Sequence, residues 1–242
     1  MEVPAWLERT ELLTGSEALV RLAGCHILLV GLGGVGSYAG EFLARAGIGK
    51  MTIVDGDVVD PTNINRQLQA LHSTVGMPKA ELMEKRLTDI NPALEITAIG
   101  RFLEPEDMDK LISEQKFDFV LDCIDSVTPK LTLIQSARRH KIRIISSMGA
   151  GGKSDPSKIR VADISVTREC KFAQTVRKRL KRMGIRKGFP AVFSEEIQPH
   201  DSLKMTDGTR YKRSFYGTIS YMPALFGMTM SAEVIRRLAG LK

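Results

Sequence analysis

A glycine-rich loop between an apolar run and a helix constrains this chain more than any other feature of its sequence. Residues 26–30 read His-Ile-Leu-Leu-Val, as expected of a buried strand, and residues 31–36 read Gly-Leu-Gly-Gly-Val-Gly, which fits G-x-G-x-x-G. Such glycines allow a tight turn, the approach of phosphates and close packing of the next helix, predicted here over residues 35–46. The N-terminus of that helix would offer free N–H groups to a polyphosphate. The glycines of this candidate nucleotide loop are Gly31, Gly33, Gly34 and Gly36.

A second strand, predicted over residues 51–55, ends in Asp55, an acid about twenty residues past the loop. This is the spacing expected of a carboxylate that binds a ribose. Nicotinamide-dependent oxidoreductases share this order of strand, loop, helix and acid, and a glycine turn without a ligand also fits the loop. This part of the chain therefore favours a nucleotide and leaves the kind of nucleotide open.

Strands and helices continue to alternate further along the chain. The predicted elements are helix 78–90, strand 94–99, helix 104–114, strand 117–122, helix 127–140 and strand 142–147. This order requires crossover connections, so we predict an α/β, Rossmann-like, doubly wound and mostly parallel sheet with a C-terminal extension. Ligands of such sheets bind at the carboxyl ends of strands, where Asp125 would lie. Asp125 could bind a metal there or cap the next helix.

The last third of the chain has a different character. Residues 149–153, Gly-Ala-Gly-Gly-Lys, could line a substrate crevice or form only a wide turn. Strands are predicted at 158–165, with Ile159, Val161 and Ile164 facing the core, and at 190–196. A polar loop at 198–213 with a turn at Asp207-Gly208 precedes a C-terminal helix that carries Phe226, Met230 and Val234.

A strongly basic segment, residues 168–187, holds nine Lys or Arg residues and one acid. Phe172, Val176, Leu180 and Met183 recur at helical spacing, so we predict a helix that buries this stripe and turns cations outward. Such a face is often only solvated, but it could also bind several RNA phosphates in a salt-dependent way. The candidate RNA-binding residues are Arg177, Lys178, Lys181 and Arg182.

Composition excludes several classes of protein. Three cysteines, Cys25, Cys123 and Cys170, without a C-x-x-C pair argue against a disulfide framework or a structural zinc site and favour a reducing cytoplasm. The apolar stretch 216–230 is interrupted by glycines and Pro223, so no membrane anchor is expected. A net charge of +7 is compatible with a polyanionic partner.

The chain after Asp55 contains residues that a dinucleotide site does not need. Residues 55–67 read Asp-Gly-Asp-Val-Val-Asp-Pro-Thr-Asn-Ile-Asn-Arg-Gln, and Gly-Met-Pro-Lys-Ala follows at 76–80. This string resembles the adenylating superfamily that includes ubiquitin-activating enzymes and the bacterial enzymes that activate sulfur-carrier proteins. The resemblance implies ATP and Mg²⁺ as cofactors and adenylation of a carboxylate.

The resemblance also implies roles for individual residues. Asp55 would bind the ribose, Arg66 and Lys79 the pyrophosphate, and Asp125 the Mg²⁺ ion. Arg9 would reach the phosphates of a neighbouring subunit of a homodimer, although a solvated Arg9 and a neutral surface Lys79 fit the sequence as well. The implied ATP site comprises Gly31, Gly33, Gly34, Gly36, Asp55, Asp57, Asn63, Arg66, Gln67, Lys79, Asp125 and Ser126.

Further motifs narrow the resemblance to one family. Arg9-Thr10-Glu11, Ile124-Asp125-Ser126, Gly-Ala-Gly-Gly-Lys-Ser-Asp-Pro at 149–156 and Val-Phe-Ser-Glu at 192–195 are similar to tRNA threonylcarbamoyladenosine dehydratases. This implies an ATP-dependent enzyme that adenylates the carboxylate of a threonylcarbamoyl group on tRNA and cyclises it with loss of water. The alternatives are a sulfur-carrier-protein adenylyltransferase and a nicotinamide-dependent oxidoreductase. The sequence carries no cysteine after Cys170, which puts a sulfur-transfer protein partner in question.

We interpret residues 1–242 as one adenylating domain. Residues 24–150 would form the nucleotide-binding core, and residues 151–242 an extension that binds substrate and the second subunit. Phe226 and Met230 on the C-terminal helix are expected to supply an apolar dimer contact, as interfaces of lasting dimers resemble a core cut in half.

Overall fold

A seven-stranded β-sheet runs through the protein, whose computed structural model describes residues 3–205 and 214–241. A separate ribbon of two short strands follows it in the chain. In chain order the strands are β1 (His26–Val30), β2 (Lys50–Val54), β3 (Glu95–Ile99), β4 (Phe119–Asp122), β5 (Ile144–Ser147), β6 (Ile159–Asp163), β7 (Pro190–Ser194), β8 (Leu203–Met205) and β9 (Ser214–Tyr216).

The large sheet has the order β3-β2-β1-β4-β5-β7-β6, and β6 alone runs antiparallel to its neighbour. β1 pairs with β2 on one side and with β4 on the other, so the direction of winding reverses between β1 and β4. Both β6 and β7, which follow residue 150, extend the same sheet. The predicted doubly wound, mostly parallel α/β fold is confirmed.

Helices cover both faces of the sheet. Their bounds are α1 (Glu8–Thr14), α2 (Ser16–Ala23), α3 (Gly36–Arg45), α4 (Lys79–Ile90), α5 (Pro105–Glu114), α6 (Val127–Arg139), α7 (Lys171–Arg182) and α8 (Tyr221–Ala239). Among the described residues, no helix has the length and apolar character that a membrane span requires. The turn predicted at Asp207-Gly208 lies outside the described residues.

The central strand β1 shows how the two faces are built. All five of its residues are buried, Ile27 and Leu29 facing one apolar cluster and Leu28 and Val30 the other, because successive side chains of a strand alternate. The first cluster includes residues of α2, α3, α4 and α8, and the second includes residues of α5, α6 and α7. A continuous apolar run such as β1 is typical of a strand buried on both faces.

The C-terminal helix packs inside its own subunit, so the dimer contact expected from Phe226 and Met230 is wrong. Both side chains are fully buried in the first cluster. The close approach depends on Gly227, since a Cβ atom at this position would lie 2.2 Å from the carbonyl oxygen of Val35. Helix α8 therefore packs directly on α3, the helix that follows the glycine loop.

Two other burial predictions fail, one at the edge of the sheet and one at the end of a helix. Val161 is 36% exposed because β6 is an edge strand, whose outer positions lack a covering element. Met183 is 37% exposed because α7 ends at Arg182, so Met183 no longer continues the buried stripe. The inner positions of that stripe, Val176 and Leu180, are buried as predicted.

Candidate active site

The candidate nucleotide loop lies where the winding of the sheet reverses, between the carboxyl ends of β1 and β4. Gly31 has φ +92°, and a Cβ atom on it would lie 2.9 Å from the carbonyl oxygen of Cys123, in the loop after β4. A Cβ atom on Gly36 would lie 1.7 Å from the carbonyl oxygen of Gly31. The loop therefore folds back on itself too tightly for any side chain at these two positions. Open α/β sheets bind ligands at such a switch point.

The other two loop glycines lie against a segment that sequence motifs had linked to ATP. A Cβ atom added to Gly33 would lie 3.7 Å from its nearest neighbour, the side-chain nitrogen of Gln67. Around Gly34, the nearest atoms are Pro223 Cβ at 2.9 Å and the carbonyl oxygen of Arg66 at 3.1 Å. The structure thus brings Arg66 and Gln67 onto the glycine loop.

The close packing of Gly36 leads to a prediction. We expect Gly36→Ala to abolish ATP binding and lower the thermal unfolding temperature, because the added methyl group would collide with the backbone of Gly31. Gly100→Ala is the matched control, since nothing lies within 4 Å of its virtual Cβ. Calorimetric titration with ATP and a thermal melt measure the two effects. ATP binding by Gly36→Ala equal to that of Gly100→Ala would show that the loop is not tightly packed.

Asp55 follows β2 and holds the glycine loop. Its carboxylate accepts hydrogen bonds from the N–H of Leu32 at 2.6 Å and of Asp57 at 2.8 Å. Burial raises the pKa of Asp55, and the charge of Lys79 opposes that rise. A carboxylate has further lone pairs beyond these two contacts. Asp55 can therefore fix the loop and still accept hydrogen bonds from ribose hydroxyls.

Lys79 is not a surface residue. It is the first residue of α4, its side chain is only 6% exposed, and its ammonium lies 3.2 Å from the Asp57 carboxylate. Asn63 is also buried, and its side-chain oxygen accepts a hydrogen bond from the N–H of Asp60. The start of α4 thus places a buried cation near Asp55, and the loop before it carries a buried amide.

Arg66 and Asp125 lie on two different loops, and their opposite charges are close enough to interact. Arg66 is half-buried, and its guanidinium donates hydrogen bonds to the carbonyl oxygen of Thr62 and the side chain of Asn65, both at 2.8 Å. Burial lowers the pKa of Arg66, and the charge of Asp125 opposes this. Asp125 is exposed, and the hydroxyl of Ser126 donates to it at 3.3 Å.

Helix capping does not account for Asp125. Ser126 occupies the N-cap of α6, where no side-chain cap hydrogen bond forms. Among the described residues, no cluster of three or more His, Cys, Asp or Glu residues could hold a metal ion. A metal at Asp125 would therefore need oxygen ligands from elsewhere, such as phosphates and water.

A buried ion pair supports the loop that carries Asp125. Asp122, the last residue of β4, and Lys130 on α6 are both fully buried, with 2.6 Å between the carboxylate and the ammonium. The ammonium also donates to the Ser147 carbonyl at 2.9 Å, and the Ser146 hydroxyl donates to Asp122 at 2.5 Å. The second carboxylate oxygen accepts the N–H of Ile124 at 3.1 Å. This network fixes the start of the loop after β4.

The sequence did not reveal a set of buried polar atoms without partners, which lie at the second glycine segment and at the nucleotide loop. Lys153 is only 3% exposed, its ammonium has no hydrogen-bond partner within the described part of the chain, and burial lowers its pKa. The side-chain oxygens of Gln67, Gln69 and Gln198 are likewise buried without a partner there. The motif of residues 149–153 was the available signal, but its spacing could not reveal burial.

Contacts connect this second segment to the nucleotide loop. The Gln198 amide donates to the Gly151 carbonyl at 2.8 Å, and a Cβ on Gly151 would lie 3.2 Å from the Thr218 hydroxyl. The Thr218 carbonyl accepts a hydrogen bond from Asn65 at 2.9 Å. Residues 149–153 therefore lie one contact away from the segment that carries Arg66.

The remaining predicted residues lie apart from this site within the subunit. Arg9 is exposed on α1 and makes no ion pair or hydrogen bond with any described residue. Lys178, Lys181 and Arg182 are exposed on α7. Arg177 is half-buried, because its guanidinium donates to both the carbonyl and the hydroxyl oxygen of Thr167. Arg177 is therefore presented differently from the other three cations.

Comparison with known proteins finds relatives over almost the whole chain. The chain is 38% identical to a tRNA threonylcarbamoyladenosine dehydratase of Bacillus subtilis, over 94% of this chain and 92% of that protein. A crystal structure of the Escherichia coli tRNA N6-threonylcarbamoyladenosine dehydratase in complex with ATP matches with a TM-score of 0.87 and 36% identity, covering 99% of this chain and 97% of that one. Another structure of that enzyme contains AMP.

Similarity to a sulfur-carrier activator is less extensive. The Escherichia coli molybdopterin-synthase adenylyltransferase is 39% identical, but only over 54% of this chain and 51% of that protein. The sequence profile of the ThiF family, in contrast, matches residues 7–242. The chain therefore belongs to the ThiF family and, within it, to the tRNA threonylcarbamoyladenosine dehydratases.

Proposed function

We propose that this protein is an ATP-dependent dehydratase that adenylates the carboxylate of threonylcarbamoyladenosine in tRNA and cyclises it with loss of water. The observation that carries the proposal is the arrangement of Arg66, Lys79 and Asp125 around a glycine loop at the switch point of the sheet. Because the glycine loop and the helix N-terminus bind its pyrophosphate, a dinucleotide site does not require these charges. Adenylation needs them, because two anions must be held together.

The chemistry follows from the substrate. A free carboxylate is a poor electrophile, so its oxygen first attacks the α-phosphate of ATP, which forms an acyl-adenylate and releases pyrophosphate. The carbamoyl group of the same substrate then attacks the acyl carbon, loses a proton and displaces AMP. The carboxylate oxygen leaves with AMP, and the nucleoside becomes lighter by one water.

In this proposal the charge of each site residue determines which part of ATP it binds. The loop glycines receive the phosphates, Asp55 the ribose, and Arg66 and Lys79 the departing pyrophosphate. Asp57, Asn63, Gln67 and Ser126 complete the lining. Residues 24–150 supply this nucleotide-binding part, and residues 151–242 bind substrate, where the unpartnered ammonium of Lys153 is available for an anionic or carbonyl group.

Asp125 is the residue that would hold Mg²⁺. Its position fits this ion, which binds through one or two carboxylates together with phosphate oxygens and water. Bound there, the ion would neutralise phosphate charge. With the ion bound to Asp125, the positive charge of the nearby Arg66 would be available to the phosphates.

No cysteine nucleophile is needed, because the attacking group belongs to the substrate. Cys25 and Cys170 are buried, and burial raises the pKa of the Cys123 thiol. None of the three is therefore an exposed thiol. This favours direct cyclisation over transfer to a sulfur-carrier protein.

Calorimetry tests which nucleotide the site binds. We expect the protein to bind ATP in the presence of Mg²⁺ and to show no binding of NADH, because the site concentrates positive charge where a triphosphate would lie. Titration with each nucleotide under the same conditions makes the comparison. Binding of NADH without ATP binding would restore the nicotinamide-dependent oxidoreductase.

We also propose a homodimer, formed through α1 rather than α8. Leu12 and Leu13 on α1 are 81% and 85% exposed, and both lie on the helical face of Arg9, at three and four residues' spacing. Two adjacent exposed leucines form a contiguous apolar patch, and contiguous exposed apolar patches mark interaction surfaces. An Arg9 placed there would reach the ATP phosphates of the second subunit.

Mixing subunits tests this arrangement. Arg9→Ala and Lys79→Ala proteins should each be inactive, and an equal mixture should regain up to about a quarter of the wild-type activity, because about half of the reassorted dimers are hybrids and each hybrid retains one complete site out of two. Light scattering gives the oligomeric state in parallel. A monomer at micromolar concentration, or a mixture as inactive as its components, would refute the shared site.

A further inference from the structure

A basic groove lies on the side of the sheet opposite the candidate active site. It runs along the amino-terminal ends of β4, β5 and β7, between the end of α6 and the turn after α7. Two adjoining cavities of about 230 Å³ and 550 Å³ form it and share Arg138. The cations that line it are Arg138, Arg139, Lys141, Arg143, Arg186, Lys187 and Arg237.

The charge of this groove is only partly neutralised. Arg139 pairs with Asp109 at 3.0 Å and Arg237 with Glu233 at 2.5 Å, on its rim. Lys141, Arg186 and Lys187 are exposed and make no side-chain ion pair or hydrogen bond with any described residue. No described acidic residue lines either cavity. The groove therefore offers several uncompensated positive charges on a concave surface.

Lys141 stands where a glycine would be more stable. Its φ is 57°, and the N–H of Ile142 donates to the Ala137 carbonyl at 2.9 Å, so the residue ends α6 in a left-handed conformation. Helices usually place glycine at this position, because a side chain there is strained. The chain thus keeps a cation at the groove at a conformational cost.

We propose that this groove binds the phosphate backbone of a part of the tRNA remote from the reacting adenosine. The inference rests on the proposed function, which makes tRNA the substrate. The strands separate the two sites by about 15 Å, since four or five residues at 3.3 Å each lie between the ends of the sheet. The sheet itself lies between the two sites, so a ligand that contacts both must pass around the protein surface, as a folded RNA can. The cationic face of α7 leads into the groove at Met183, so the basic surface is continuous.

Salt-dependent RNA binding tests the groove. The variant Lys141→Gly/Arg186→Ala/Lys187→Ala should bind tRNA at least tenfold more weakly and lower the slope of log K against log salt by about two to three units, since each phosphate contact contributes about 0.9. Lys85→Ala removes an exposed cation from α4, on the other face of the sheet, and should change neither quantity. Lys141→Gly alone should melt no lower than wild type, because the strain is relieved.

Turnover separates this inference from the proposed function. With full-length modified tRNA the triple variant should show a lower kcat/KM, and with a short RNA that carries the same adenosine it should match wild type. Equal tRNA affinity and equal salt slope in variant and wild type would overturn the proposal that the groove binds tRNA. A variant that loses binding to anionic vesicles but retains tRNA binding would overturn it as well. A wild-type protein that converts neither RNA would contradict the proposed function, while the binding comparison would still decide the groove.

Discussion

Replacing Arg66 with alanine is expected to slow product formation by about 100-fold or more, the usual effect of removing one donor that stabilises developing charge. The guanidinium is half-buried beside the glycine loop and faces the charge of Asp125. Without it, negative charge on the α-phosphate and on the leaving pyrophosphate would be uncompensated. Single-turnover kinetics at saturating ATP measure this effect, because they isolate the chemical steps from RNA release.

The control for Arg66→Ala is Arg101→Ala. Arg101 is an exposed arginine whose guanidinium pairs with Asp107 at 2.5 Å. Both variants should melt within a few degrees of wild type, because the contacts of Arg66 are made with exposed polar groups of its own segment. If the Arg66→Ala rate were within threefold of the Arg101→Ala rate, Arg66 would have no catalytic role.

Replacing Lys130 with methionine is expected to lower the free energy of unfolding by about 3–5 kcal/mol. The substitution leaves the Asp122 carboxylate fully buried without its counter-ion. Burial raises the pKa of Asp122, and Lys130 opposes this, so loss of the ammonium should also drive the carboxyl toward its neutral form. The loop that carries Asp125 would lose its support, and ATP turnover should fall with stability.

Denaturant unfolding with two further variants checks this result. Lys110→Met removes an exposed lysine, 3.9 Å from Glu114, and should cost less than about 1 kcal/mol. Asp122→Asn/Lys130→Met should recover much of the lost stability, because no buried charge remains. If Lys130→Met were no less stable than Lys110→Met, the buried pair would not hold the site together.

Local sequence signals predicted the nucleotide loop well, for physical reasons. β1 has the predicted bounds, and the glycines lie where a strand turns back toward a helix, because a tight turn and short packing distances restrict the residue types within a few positions. The role of an apolar helix face, in contrast, could not be predicted from local sequence. Phe226 and Met230 form an apolar face that could serve a core or an interface, and only the packing of α8 on α3 decides between them.

Features built from distant residues could not be predicted. Asp122 and Lys130 are eight positions apart, but their burial depends on the sheet and on Ser146. The basic groove joins Arg138 to Gly188, fifty positions later, through one hydrogen bond of 2.9 Å. The sequence indicated a cationic helix over part of this region, while the concave surface appears only when α6, β5 and the turn after α7 come together.

Mass spectrometry of tRNA nucleosides tests the central claim most directly. The protein is incubated with ATP, Mg²⁺ and tRNA that carries the open threonylcarbamoyl group, and the RNA is then digested to nucleosides. We predict that the modified nucleoside becomes lighter by one water, with AMP and pyrophosphate released in equal amount, and that the Arg66→Ala protein yields almost none of this product. An unaltered nucleoside, together with adenylation of the terminal glycine of a sulfur-carrier protein, would contradict the account.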